Sequence, residues 1–237
     1  MKKLDKEKLT TAWQRVMAKY GNQAAVAIQF VNDDEVLATT NAPSFRYETA
    51  STVKVAVLAL LLKKTGGQLN ATQRELTERM IRYSDNDATT TILENYLGGM
   101  LSLQSLYQDL GMDSTTASSW WGTTLTVPSD QLKLLRMIYC NSPANYLSDS
   151  SRAYIKKLMG EVAISQQWGI STGKSEYYLK NGWRPASDNG KWEVHSIGYV
   201  PNGQESYIIA IYTRNNRNYA SGVSLVEDLA RATQNSI

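Results

Sequence analysis

Thr49-Ala50-Ser51-Thr52-Val53-Lys54-Val55-Ala56-Val57-Leu58-Ala59-Leu60-Leu61-Leu62 is the stretch on which the fold turns. Val55 to Leu62 is the longest apolar run in the chain. It falls well short of the ~18 apolar residues a membrane span needs. It reads as a buried helix over 51–64, opened by Ser51. From there to about Gly160 the pattern stays helical. Apolar helices are predicted at 73–83, 87–97, 101–109, 129–140 and 149–159, separated by Gly, Asn and Pro. Pro128-Ser129 opens one of them, with Ser129 as its expected N-cap.

Upstream of the quoted stretch the pattern differs. Residues 4–20 carry Leu4, Leu9, Trp13, Val16 and Tyr20 at roughly helical spacing. Residues 24–31 and 35–40 read as a hairpin around Asn32-Asp33-Asp34. Downstream, strands return at 176–185, 191–200 and 205–213, rich in Tyr, Trp, Val and Ile. Asp188-Asn189-Gly190 and Pro201-Asn202-Gly203 lie between them as turns. A last helix at about 221–233 carries Val223, Leu225, Val226, Leu229 and Ala230. This order predicts an α+β fold. Five antiparallel strands come from both chain ends, terminal helices flank them, and a helical lobe is inserted between strands two and three. The expected division is one domain, 1–237, with a sheet lobe (1–50 and 165–237) and a helical lobe (51–164).

Composition narrows the function. The chain has 237 residues, and Lys+Arg 25 against Asp+Glu 22 leaves a net charge of +3. That surplus is small and spread along the sequence, which argues against a nucleic-acid partner. Hydrophobic residues are 42% and charged residues 20%, so disorder is excluded as the main state. The only cysteine, Cys140, excludes an internal disulfide and a multi-cysteine metal site. With His195 the only histidine, a His-rich metal site is excluded too. No metal or cofactor is expected. No apolar segment follows Lys2 and Lys3, so the expectation is a cytoplasmic chain, or an exported one whose signal has been removed.

Three short motifs could carry chemistry. In Ser51-Thr52-Val53-Lys54 the Ser hydroxyl and the Lys amine share a helix face. The helix N-terminus adds N–H groups beside Ser51. A serine needs a base before it attacks, and a lysine can serve once burial or a nearby cation lowers its pKa. Ser84-Asp85-Asn86 lies between two predicted helices. Lys180-Asn181-Gly182, followed by Trp183, lies in the first late strand, where a glycine lets another group come close. Each motif has a bland reading by itself: chance spacing, helix capping, or an exposed lysine beside a bulge.

Together and in this order they resemble the S-x-x-K, S-D-N and K-T-G set of class A β-lactamases and penicillin-binding proteins. The resemblance extends to Leu97-Gly98-Gly99, to Leu110-Gly111-Met112 and to Thr123–Asp130. It implies a serine hydrolase acting on a small molecule, a β-lactam, amide or ester, through an acyl-Ser51 intermediate. Lys54 would accept the Ser51 proton and Ser84 would pass a proton to the leaving group. Asn86 would hold Lys54 and the substrate amide. Lys180 would favour an anionic substrate, and the N–H groups of Ser51 and Trp183 would form the oxyanion hole. Lys54 and Lys180 should converge near Ser51, like charge and burial favouring a neutral amine on one of them.

The departures from the family pattern matter as much. Asn181 stands where the family has Thr or Ser; its amide can still donate to a carboxylate, but with a different shape. The family's omega-loop Glu is absent. No Glu occurs between Glu94 and Glu161, and Asp113 is the only carboxylate in 111–127. Weak β-lactamase turnover is therefore expected. An esterase, a D-amino-acid amidase or peptidase, and a penicillin-binding sensor are the rival readings. His195 is read as structural or groove-lining, and Cys140 as helix packing. Trp120 and Trp121 read as a groove wall or as core.

Overall fold

The computed structural model describes residues 5–237. Lys2, Lys3 and Leu4 lie outside the described residues. Helix α1 (Lys6–Tyr20) starts where the Asp5 carboxylate accepts the Lys8 N–H at 2.9 Å, and ends at Gly21 with φ 68°. That left-handed φ suits a glycine. Its buried residues Leu9, Trp13 and Met17 are spaced four apart and form one stripe. The expected hairpin follows as β1 (Gln23–Phe30) and β2 (Val36–Thr40).

The chain then makes a two-residue strand, β3 (Tyr47–Glu48), and a 3-10 turn, Ala50–Val53, that runs into α2 (Lys54–Lys64). Ser51 thus stands on the tight turn leading into the helix, not in its first α-turn. The helical layer continues with α3 (Ala71–Arg82), α4 (Asn86–Ile92) and α5 (Leu103–Asp109). A second two-residue strand, β4 (Leu125–Thr126), pairs with β3 and precedes α6 (Pro128–Tyr139) and α7 (Asp149–Gly160). The last third is β5 (Tyr178–Pro185), β6 (Trp192–Val200), β7 (Tyr207–Asn216) and α8 (Tyr219–Gln234).

The five long strands form one antiparallel sheet in the order β2-β1-β7-β6-β5. The two chain ends thus build it together, as expected. Both faces are covered. From β1, Ala24, Val26 and Ile28 join Leu9, Trp13, Leu225 and Leu229 of the terminal helices. The alternate residues Ala25 and Ala27 face the helical layer with Ala210 and Tyr212. This is period-two alternation with both faces apolar, which gives a nearly continuous hydrophobic run in the sequence. Trp13 Nε1 also donates to Thr233 Oγ1 at 2.9 Å, tying α1 to α8 across the ends of the chain.

Some local expectations are corrected. Ser129 is not the N-cap of α6. Val127 holds that position without a side-chain bond, and Pro128 is the first helical residue. Proline's fixed φ suits that first position, which moves Ser129 inside the helix. The helix expected over 87–97 is α only to Ile92. It continues as a π-helical turn, Leu93–Leu97. The β3–β4 pair was not expected, because two residues are too few to show a period.

Candidate active site

The motifs converge where β5 meets the 3-10 turn and the loop before α4. Gly182 makes the approach possible. A Cβ on it would lie 2.9 Å from the backbone atoms Ser51 N, Thr52 N and Thr49 O. None of these is the end of a flexible side chain. Gly182→Ala is therefore expected to push β5 off the Ser51 turn. Overpacking of this kind costs roughly 1–3 kcal/mol. The check is a lowered melting temperature together with an acylation rate reduced at least about tenfold.

The turn is also clamped from behind. The Glu48 N–H donates to Glu193 Oε2 at 3.0 Å, and the Glu48 carbonyl meets His195 Nε2 at 2.9 Å. The Thr213 N–H points at His195 Nδ1, 3.3 Å away, so Nδ1 accepts and Nε2 donates. The ring stacks on Tyr212, whose hydroxyl meets Thr52 Oγ1 at 2.7 Å. His195 is fully buried and both its nitrogens are engaged. It acts as a strut, in line with the structural reading of His195. Cys140 is half-buried just past α6, where burial pushes its thiol pKa up. A sequence reading could not pair Glu193 with Glu48, which lies 145 positions away.

Ala50 and Ser84 both hold positive φ, 46° and 58°. Such backbone persists only where its surroundings over-determine it, and it gathers at functional sites. The anchors around the Ser51 turn supply that constraint for Ala50.

Lys54 is fully buried. Its ammonium donates to Ser84 O (2.6 Å), Ser84 Oγ (3.1 Å) and Asn86 Oδ1 (2.7 Å). The Trp121 ring lies 5.0 Å from Nζ. Among the described residues the Ser51 hydroxyl makes no hydrogen bond to Lys54, whose three donors are spent on Ser84 and Asn86. Loss of one proton would free a lone pair on Nζ, and catalytic contacts are often loose before substrate binds. Burial lowers the Lys54 pKa to about 7, against the opposing pull of the Asp85 charge.

Asp85 caps α4 through the Ala88 N–H and pairs with Arg79 at 2.7 Å. Asn is as good a cap as Asp, so Asp85→Asn should leave α4 formed. Removing the anion destabilises the Lys54 ammonium and lowers its pKa. Acylation in the parent protein should rise with pH through about 7 as Lys54 loses its proton. In Asp85→Asn that limb should move to lower pH; an upward move would overturn the assignment of the limb to Lys54.

Lys180 approaches from β5. It donates to Ser84 Oγ at 3.0 Å and to the Asn181 carbonyl at 2.8 Å. Both lysines therefore meet on one hydroxyl, that of Ser84, where the expectation was convergence near Ser51. Burial, reinforced by the Lys54 charge, holds Lys180 well below the usual lysine range. Asn181 departs from its expected place. Its amide donates to the carbonyls of Gln166 (2.8 Å) and Trp168 (3.0 Å), fully buried. The reason is strand alternation: Lys180 and Gly182 share one face of β5, and Asn181 lies on the other. Trp183 packs 5.8 Å from Trp168 and 5.5 Å from Tyr219 by ring centroids. Trp121 is buried while Trp120 is 43% exposed and stacked on it, so the pair serves as both core and wall. Asp113 is exposed.

The arrangement joins the Ser51 turn, a buried low-pKa amine and a hydroxyl held between two lysines. Comparison with known proteins bears on the fold and the family. A search of curated proteins found no match. Among solved structures, TLA-3 extended-spectrum β-lactamase superposes with a TM-score of 0.80 at 16% identity, covering 97% of this chain and 98% of that one. A class A β-lactamase from Bacteroides cellulosilyticus gives 0.80 at 13%, covering 96% and 98%. A β-lactamase from Xanthomonas campestris pv. campestris gives 0.80 at 14%, covering 98% of each chain. At these identities the likeness is one of fold. The family model described as "Beta-lactamase enzyme family" matches residues 62–237, which takes in Ser84, Asn86 and Lys180 and begins after Ser51 and Lys54. The chain belongs to the β-lactamase enzyme family and is a serine hydrolase of that type, acting on small-molecule substrates.

Proposed function

We propose that the protein cleaves an amide, ester or β-lactam through an acyl-Ser51 intermediate, with fast acylation and slow release. The observation that carries this reading is the meeting of Lys54 and Lys180 on the Ser84 hydroxyl, beside the turn that presents Ser51. Neutral Lys54 takes the Ser51 proton as Oγ attacks the carbonyl carbon. The tetrahedral oxyanion forms between the Ser51 and Trp183 N–H groups, whose fixed dipoles favour it without reorganisation. Collapse breaks the bond to the leaving group. The Ser84 hydroxyl supplies the leaving atom's proton and regains one from the lysine pair. Asn86 holds Lys54 in place through Oδ1 at 2.7 Å, and its amide N–H groups serve the substrate.

Trapping the intermediate is the test. A fluorescent penicillin should label the protein with one equivalent, and peptide mapping should place the adduct on Ser51. Label at another residue, or none from any of a panel of β-lactams, esters and D-amino-acid amides, would overturn the proposal. A panel in which only esters or D-amino-acid amides react would select the rival esterase or amidase reading on the same scaffold.

A further inference from the structure

We propose that Trp121 is a positioning residue of acyl transfer, its ring forming the cover that keeps water off the Lys54 amine. The inference rests on the acyl-Ser51 reading and adds to it a residue outside the three motifs. Lys54 is fully buried, and an amine stays dry only where something excludes water. Its polar contacts are Ser84 and Asn86. The aromatic ring against it is that of Trp121, buried, with its centroid 5.0 Å from Nζ.

The cover is built in layers. Trp120 stacks on Trp121 with ring centroids 4.9 Å apart, and the Arg184 guanidinium lies 4.9 Å from the Trp120 ring. Arg184 is paired with Glu48, on the strand that leads to Ser51. Gly122 makes room for the stack, since a Cβ there would lie 2.3 Å from the Trp120 ring. The short 3-10 turn Trp121–Thr123 is tied down at both ends. Trp121 Nε1 donates to Thr90 Oγ1 of α4 at 3.2 Å, and the Thr49 N–H donates to the Thr124 carbonyl at 2.8 Å.

A cover and a charge partner act on an amine in opposite directions. The face of a ring attracts an ammonium and favours the charged form. An apolar lid that excludes water disfavours it. Burial is the larger influence on Lys54 and holds its pKa at about 7, so the lid outweighs the attraction. The charged groups that act on Lys54 are Asp85, before α4, and Lys180, on β5. Neither belongs to the Trp121 turn, so replacing Trp121 leaves both in place.

The test follows acylation of the whole protein by fluorescent penicillin as a function of pH. Trp121→Ala admits water to Nζ, and the acidic limb is expected to move up by about one pH unit or more. Acylation at the parent's midpoint would then be about fivefold slower, and the rate well above the limb would be kept. Trp121→Phe retains an apolar ring and should hold the limb near the parent's position. Gly122→Ala drives the exposed Trp120 ring off the stack and should also move the limb up. It decides the matter if Trp121→Ala does not fold. Slowing at every pH with an unmoved limb would make Trp121 a structural residue only, and a downward move would make it a charge partner of Lys54. Either result overturns this inference and, with Ser51 still labelled, leaves the acyl-Ser51 reading standing. A parent protein never labelled on Ser51 would overturn that reading and the inference with it.

Discussion

Replacing Ser51 with alanine is expected to abolish acylation while the fold survives. Nucleophilic catalysis works by splitting one difficult step into two, and the split is impossible without the atom that carries the acyl group. Alanine leaves Lys54, Ser84 and the backbone donors in place, but those groups then have no oxygen to activate. The loss in turnover should be roughly 10³-fold or more, with residual activity coming from binding and oxyanion stabilisation. The fold should tolerate the change. Among the described residues the Ser51 hydroxyl makes no hydrogen bond to its neighbours, so its removal leaves no buried partner unsatisfied. Stability should stay within about 0.5 kcal/mol of the parent, as for substitutions that touch no structural feature. Fluorescent-penicillin labelling and ester turnover read the activity, and thermal melting reads the fold. A folded variant keeping half its turnover would end the assignment.

The sheet and most helices were legible because their apolar residues recur at periods of two or about 3.6. β7 is the plainest case. Tyr207, Ile209 and Ile211 pack on the terminal helices while Ile208, Ala210 and Tyr212 pack on the helical layer. β3 and β4 were not legible, yet they matter most for the site, because β3 delivers the chain to Ser51. Its position is fixed by contacts distant in sequence: Glu193 and His195 from β6 meet Glu48, and the Tyr212 ring from β7 lies against Tyr47. No local signal encodes those pairings. The meeting of Lys54, Ser84 and Lys180 was legible only through the resemblance of three motifs. The direction of Asn181 was open to a simpler argument. If Lys180 and Gly182 face Ser51, strand alternation turns the residue between them away. The family pattern, which assigns that position to substrate, obscured this.

An acyl-enzyme formed from penicillin is expected to persist on Ser51 for minutes or longer. Releasing the acyl group needs a water made nucleophilic by a base, and general base catalysis contributes typically ~10²–10⁴-fold. Transition-state arithmetic makes that roughly 3–5 kcal/mol. The carboxylates around the turn are committed elsewhere. Glu48 is bound to Arg184, and Asp85 to Arg79 and the α4 N-terminus. Asp130 accepts from the Ser114 N–H and the Thr115 hydroxyl at 2.8 and 2.9 Å and pairs with Lys133. Asp113, the only carboxylate in 111–127, is exposed to solvent. Acylation does not suffer from this, because it draws on Lys54 and Ser84. A stopped-flow trace should therefore show a burst of one equivalent followed by slow turnover, with the adduct visible by intact mass throughout. A smaller acyl group should clear faster, since it blocks the approach of water less. Steady penicillin turnover at tens per second with no adduct would refute slow release. It would point to Lys54, whose pKa of about 7 leaves part of it neutral at neutral pH, as the base of the second step.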